Sequence, residues 1–282
     1  MRKKRGFYQS ERASRIKKSR LKIKIYGGLF FCLLAGLIYF FVFSPVLWIE
    51  KIEVYGLSEN DGASESIGKQ DIEDIAQKIL TEKFLGFIPL RSVILIPADK
   101  IRANIFAGWP EIASVEIRKN FIFWQPQNKI LKVEVKIREP MGVWCSGPAE
   151  LPEQCFYIDK EGVIYKESPA MDGSLILTIN DLRGETIRVK EPIVSKKLMD
   201  FVLEINKELP AVLDLRAANF IISSEEDLRV LTSEGWQIYF NSEESFDSQL
   251  DILKRVLEDE IKEERSNLEY VDLRVGRRVY YK

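Results

Sequence analysis

Apolar residues follow three different rhythms along this chain. From Ile25 to Ile49 they run almost unbroken, 25 residues with no Asp, Glu, Lys or Arg. A helix of roughly 20 apolar residues crosses the hydrocarbon core of a bilayer, so this stretch can span one. Beyond it the rhythm switches between a period of two and a period near 3.6, the signatures of strands and amphipathic helices.

The first such region is residues 48–139. Ile52 and Val54 share one face of a strand over Ile49–Gly56, with Lys51, Glu53 and Tyr55 on the other. Gly56 and the polar run Ser58–Ser66 break it. Ile72, Ile75, Ala76, Ile79 and Leu80 then form one helical stripe within Gln70–Phe84, ended by Gly86 and Pro89. A second helix starts at Pro97, buries Ala98, Ile101 and Ile105, and closes at Trp109-Pro110. Two alternating strands follow. Ala113, Val115 and Ile117 point inward in one, and Leu131, Val133, Val135 and Ile137 in the other. The order predicts a β-α-α-β-β unit with both helices on one face of a small sheet.

Arg138-Glu139-Pro140 marks a junction, because proline interrupts a central strand. The region 140–282 reads mainly as antiparallel strands with two helices, giving an α+β chain overall. Strands are expected at Phe156–Asp159 and Val163–Tyr165, around the turn Lys160-Glu161-Gly162, and at Leu175–Ile179 and Thr186–Val189. A helix over Pro192–Leu209 buries Leu198, Phe201, Val202, Ile205 and Leu209, and Pro210 is expected to stop it. Strands return at Phe220–Ser223, Arg229–Thr232 and Trp236–Asn241. A helix over Phe246–Glu264 buries Phe246, Leu250, Leu253, Leu257 and Ile261. The chain ends in one long strand candidate, Leu268–Tyr281. The triplet Asp-Leu-Arg recurs at 181, 214, 227 and 272, at spacings too uneven for a repeat.

Charge orients this plan. Residues 1–24 hold eleven Lys/Arg and one acid, Glu11, a net +10, which leaves −11 for the rest of a chain whose total is −1. Lys and Arg are held on the cytoplasmic side of a span, so the tail stays inside and the bulk lies outside the cytoplasm. DNA binding and contact with anionic lipid are the other readings of the tail. The acidic bulk argues against nucleic acid, which needs a basic face. The apolar run is longer than a signal-peptide core, and Phe43-Ser44-Pro45-Val46-Leu47-Trp48 lacks small residues for cleavage, so an uncleaved anchor over 25–47 is expected. Trp48 and Tyr26 would mark its two interfaces.

Candidate chemistry is sparse. The chain has no histidine, which removes His-based triads and nearly every catalytic zinc site. No glycine pattern resembles a phosphate-binding loop. Ser195 and Ser92 stand in no Ser-Lys pocket motif, and the acidic clusters fall on turns and outer helix faces. No cofactor, metal or small-molecule substrate is expected. Cys32 lies inside the span. Cys145 and Cys155 bracket the loop Ser146–Gln154 on the side where disulfides persist, and are expected to pair; two free thiols or a metal site are the competing readings.

What remains is binding. A strand edge accepts an extended partner through main-chain hydrogen bonds. The best candidate is the terminal strand: Tyr270, Val271, Leu273, Val275, Val279, Tyr280 and Tyr281 supply side chains for pockets, and Arg274, Arg277 and Arg278 suit an acidic partner. The plainer reading is that this strand simply completes the sheet.

Motifs in this order resemble the FtsQ/DivIB cell-division family. Trp48-Ile49-Glu50-Lys51-Ile52-Glu53-Val54-Tyr55-Gly56 is similar to the family's opening strand and glycine. Trp109-Pro110-Glu111-Ile112-Ala113-Ser114-Val115-Glu116-Ile117, Tyr157-Ile158-Asp159-Lys160-Glu161-Gly162 and Tyr270-Val271-Asp272-Leu273-Arg274 are similar to further family segments. Val133–Pro140 resembles its V-x-E-R-x-P ending with Arg and Glu inverted. The resemblance implies a POTRA domain at 48–139 and the family's β-domain at 140–282. It also implies a non-enzymatic, single-pass scaffold of the division site in the cell (inner) membrane, assembling with FtsB/FtsL-type partners and through them with septal wall synthesis. The strand it assigns to partner capture is Tyr270, Val271, Asp272, Leu273, Arg274, Val275, Gly276, Arg277, Arg278, Val279, Tyr280 and Tyr281. The cysteine pair is not part of the family pattern. A different POTRA-bearing export or assembly component, or a tethered wall enzyme, are the alternatives.

Overall fold

The computed structural model describes residues 24–57, 67–120, 129–148, 150, 152–169, 176–276 and 278–282. The basic tail up to residue 23, the polar run 58–66 and Arg277 lie outside the described residues. The chain divides into two compact units, residues 1–109 with 114–136 and residues 110–113 with 137–282.

In the first unit, helix α1 (Lys24–Phe43) has 20 residues and is long and apolar enough to cross a membrane. The apolar run outlasts the helix. Ser44 accepts a hydrogen bond from Val46 N–H, Pro45 opens a short turn, and Leu47 and Ile49 are buried in the globular part of the unit. Trp48 forms a main-chain β-bridge with Ser92, and its side chain is half-buried.

Strand β1 (Lys51–Tyr55), helix α2 (Lys69–Thr81), the small strands β2 (Lys83–Phe84) and β3 (Ile88–Pro89), helix α3 (Ala98–Gly108), β4 (Ile112–Asn120) and β5 (Ile130–Ile137) follow. They form the β-α-α-β-β order with a sheet β1-β5-β4, β1 lying parallel to β5. The apolar stripes go where period predicts: Ile72, Ala76, Ile79 and Leu80 of α2, Ile101 and Ile105 of α3, and Leu131, Val133 and Val135 of β5 are buried. In β4 the alternation starts late, since Ile112 and Val115 are inside and Ala113 is exposed. Gly56 ends β1 at φ +89°, and a Cβ there would lie 2.0 Å from the Val135 carbonyl oxygen.

The second unit is built on a nine-stranded sheet, mostly antiparallel, in the order β14-β13-β12-β11-β10-β9-β6-β7-β8. Its strands are β6 (Gly142–Ser146), β7 (Gln154–Ile158), β8 (Ile164–Glu167), β9 (Leu177–Asp181), β10 (Ala217–Ile222), β11 (Asp227–Thr232), β12 (Gln237–Asn241), β13 (Tyr270–Asp272) and β14 (Tyr280–Tyr281). Helices α4 (Lys196–Leu213) and α5 (Phe246–Arg255) cover one face. Leu198, Val202, Ile205 and Leu253 pack there against Phe220, Leu228, Val230, Ile238, Phe240 and Val271.

Four expectations need correction. Strand β6 was not anticipated, because Val143, Trp144 and Cys145 are all buried and a strand buried on both faces shows no alternation. Thr186–Val189 joins no ladder; Lys190, at φ +79°, turns the chain so that its N–H bonds to Ile164 O at 2.8 Å. Helix α4 starts at Lys196, capped by Ser195, and runs through Pro210 to Leu213, where Asp214 closes it at φ +52°. The terminal segment Leu268–Tyr281 is not one strand. Three residues pair as β13, the chain turns at Val275-Gly276, and two residues return antiparallel as β14.

Candidate partner-binding edge

The C-terminal edge starts from burial. Val271 and Leu273 are core residues, and Leu273 N–H bonds to Tyr239 O at 2.9 Å, which fixes β13 beside β12. These two side chains are therefore not available to fill a partner's pockets. Val279 is partly buried against the same core, while Val275, Tyr280 and Tyr281 are about half exposed. Gly276, at φ +59°, makes the turn, closed by Arg278 N–H to Val275 O at 3.2 Å. Lys282 completes the return: its carbonyl accepts from Glu269 N–H (2.6 Å) and Tyr270 N–H (3.3 Å), and its N–H donates to Tyr270 O (3.2 Å). The outward main-chain groups of β13 are thus occupied by the chain's own last residues.

The outer face of this edge is a closed cluster. Tyr239 and Tyr270 stack with ring centroids 5.3 Å apart and planes 2° from parallel. The guanidinium groups of Arg229 and Arg274 each lie 4.9 Å from the Tyr239 ring centre, a cation–π distance. Asp227 bonds both arginines at 3.0 Å, and Asp272 bonds Arg274 at 2.6 Å. Burial works against the charge on Asp272, but hydrogen bonds from the Arg274 side chain and backbone outweigh it and hold the carboxyl below its ordinary range. The same hydrogen bond raises Arg274. Arg274 is thus committed inside the protein and does not offer the open cation that an acidic partner would need. Arg278 is exposed.

Asp227, Arg229 and Tyr239 were missed as part of this site, although a signal existed. Residues i and i+2 of a strand share a face, so Asp-Leu-Arg can close on itself. It does so at 181, 227 and 272, where the aspartate accepts from the arginine two residues on. At 214 the aspartate caps α4 instead.

The opposite end of the sheet is covered. Lys190 N–H bonds to Ile164 of β8, and Val163 bridges Pro192. Nearby, Asp159 Oδ1 accepts from Glu161 and Val163 N–H and its other oxygen pairs with Arg138. Gly162 turns there at φ +78°. Burial, with Asp159 adding to it, pushes the Tyr165 phenol up to about 12. Cys145 and Cys155 face each other across β6 and β7 and are joined as a disulfide; Cys32 is free on α1. Among the described residues no three His, Cys, Asp or Glu side chains gather as a metal site.

The chain is thus an α+β protein with one helix long and apolar enough to cross a membrane and a mixed sheet whose end strands, β13 and β14, form a short, partly exposed candidate binding edge. Residues 150–274 match the family model described as cell division protein FtsQ/DivIB, C-terminal. The match runs from β7 to β13, and over this stretch the chain is similar to the C-terminal domain of that cell-division family. No curated protein matches the chain.

Proposed function

We propose that this chain is a non-enzymatic, single-pass scaffold of the bacterial division machinery. Its N-terminal tail lies in the cytoplasm, where it also meets anionic lipid, and its two globular regions lie outside. Residues 48–139 act as a POTRA domain that directs the protein to the division site. Residues 140–282 act as the partner-binding β-domain, which recruits FtsB/FtsL-type proteins and through them septal wall synthesis.

Capture takes place by strand addition at β13. The observation that carries this reading is the pairing of β13 with a two-residue strand, β14, and the Lys282 main chain that follows it. A main-chain ladder so short, at the edge of a sheet, is replaced like for like by a longer partner strand. The partner therefore displaces β14 and pairs with the outward groups of Tyr270 and Asp272.

The test uses the full chain in membranes. Tyr270→Pro deletes a donor that points away from β12, whereas Tyr270→Phe keeps both donor and ring. Co-purification of the division partners should fall with Tyr270→Pro and persist with Tyr270→Phe. Equal recovery with both would refute capture at this edge.

A further inference from the structure

The hairpin β2–β3 presents an apolar tip that is left exposed among the described residues. Phe84 is 57% exposed, Leu85 70% and Phe87 61%. Phe87 N–H bonds back to Phe84 O, and both turn residues have positive φ, Leu85 at +53° and Gly86 at +80°. A two-residue turn of this kind favours Asn-Gly or Asp-Gly. Leucine at its first position is strained, because its Cβ crowds the backbone there. The chain thus places a large apolar side chain where backbone strain and exposure both count against it, which points to an external contact.

The base of the hairpin lies where α1 ends. The buried Ser92 hydroxyl donates to Phe41 O of α1 at 3.3 Å. Val93 N–H bonds to Leu47 O at 2.9 Å and Ile49 N–H to Arg91 O at 3.0 Å. The Arg91 guanidinium lies 5.7 Å from the Trp48 ring centre. Trp and Arg are residues of the bilayer interface. From Phe87 to Ser92 the backbone reaches at most about 18 Å, so the tip stays close to the last turn of the span. Lys83 and Arg91 flank the tip and suit anionic headgroups. Ile94, also exposed, sits in the turn that follows.

We propose that the tip Phe84–Phe87 inserts into the outer interface of the lipid bilayer beside α1, giving the first unit a second point of membrane attachment. This rests on α1 being the membrane span, and native Cys32 on α1 tests that premise separately.

The full chain is reconstituted in nanodiscs of phosphatidylethanolamine and phosphatidylglycerol. An environment-sensitive NBD probe is placed on Cys32, or on Leu85→Cys in a Cys32→Ser background, with a Val212→Cys probe on α4 as a water-exposed control. Probe at position 85 should show blue-shifted emission and lose intensity when doxyl-labelled lipid is included, whereas the 212 probe should do neither. The proposal is overturned if the 85 probe matches the 212 probe, or if it is shifted but unquenched, which would mean cover by protein. If the Cys32 probe is also unquenched, the span reading fails and the proposal falls with it. Phe87→Asp should abolish the quenching at position 85 while leaving that at Cys32 intact.

Discussion

Removing Tyr280, Tyr281 and Lys282 should raise the affinity for the division partner. These residues hold the edge through three hydrogen bonds of Lys282 and the ladder pair between Asp272 and Tyr280. At a net value of about 1 kcal/mol for each bond, with two in the ladder pair, these contribute about 5 kcal/mol. Covering about half of two tyrosine side chains adds at most about 4 kcal/mol at 25 cal/mol per Å². Ordering the backbone and side chains of three residues costs about 6 kcal/mol. The closed form is then favoured by about 3 kcal/mol, a population ratio on the order of 100, and the apparent partner affinity is reduced by a similar factor. The Lys282–Glu269 ion pair is exposed on both sides and adds little. The assay is a titration of the full chain in nanodiscs, intact or ending at Val279, with the division partner recovered by co-purification. The core residues Val271 and Leu273 remain in the shortened chain, so its fold persists. Binding tighter by a factor on the order of 100 is expected. Loss of binding on truncation would refute the displacement argument, because it would mean that the partner pairs with β14 itself.

Three further outcomes follow from the geometry. Because Asp272 is held below its ordinary range, its contribution to stability is fully present above about pH 4 and is lost as pH falls through its lower folded-state value; thermal unfolding of wild type and Asp272→Asn should converge only in that acid range. Tyr165 is raised to about 12, so its contribution is full below about pH 10 and lost as pH rises through 12; absorbance titration at alkaline pH should show a late phenolate step that Tyr165→Phe removes. Gly162→Ala would place a Cβ 2.0 Å from Val194 O at a φ of +78°, and should cost about 2–5 kcal/mol in a denaturant titration.

Periodicity made the interior legible wherever an element has one wet face. Leu131, Val133 and Val135, or Leu198, Phe201, Val202 and Ile205, could be assigned to the core from spacing alone. The rule gives nothing for Val143-Trp144-Cys145, where both faces are dry, so an interior strand, third from the β8 edge of the sheet, is not legible. Pro210 misled because the helix needs only one more turn after it, and a missing donor matters less near an end. The edge was partly legible. Tyr270–Asp272 stood out as strand, but nothing local showed that Gly276 would return the chain onto its own β13. The Asp-Leu-Arg triplets were visible, yet their meaning depends on β11, β12 and β13 lying side by side, which sequence spacing does not encode.

Capture of a division partner at the β13 edge can be read by proximity. A photo-crosslinking amino acid is placed at position 270 of the full chain, activated in dividing cells, and compared with one at Lys166 on β8. An adduct is expected from position 270 with a small membrane division protein of the FtsB/FtsL type, and none from position 166. Adducts from position 166 alone would contradict capture at β13.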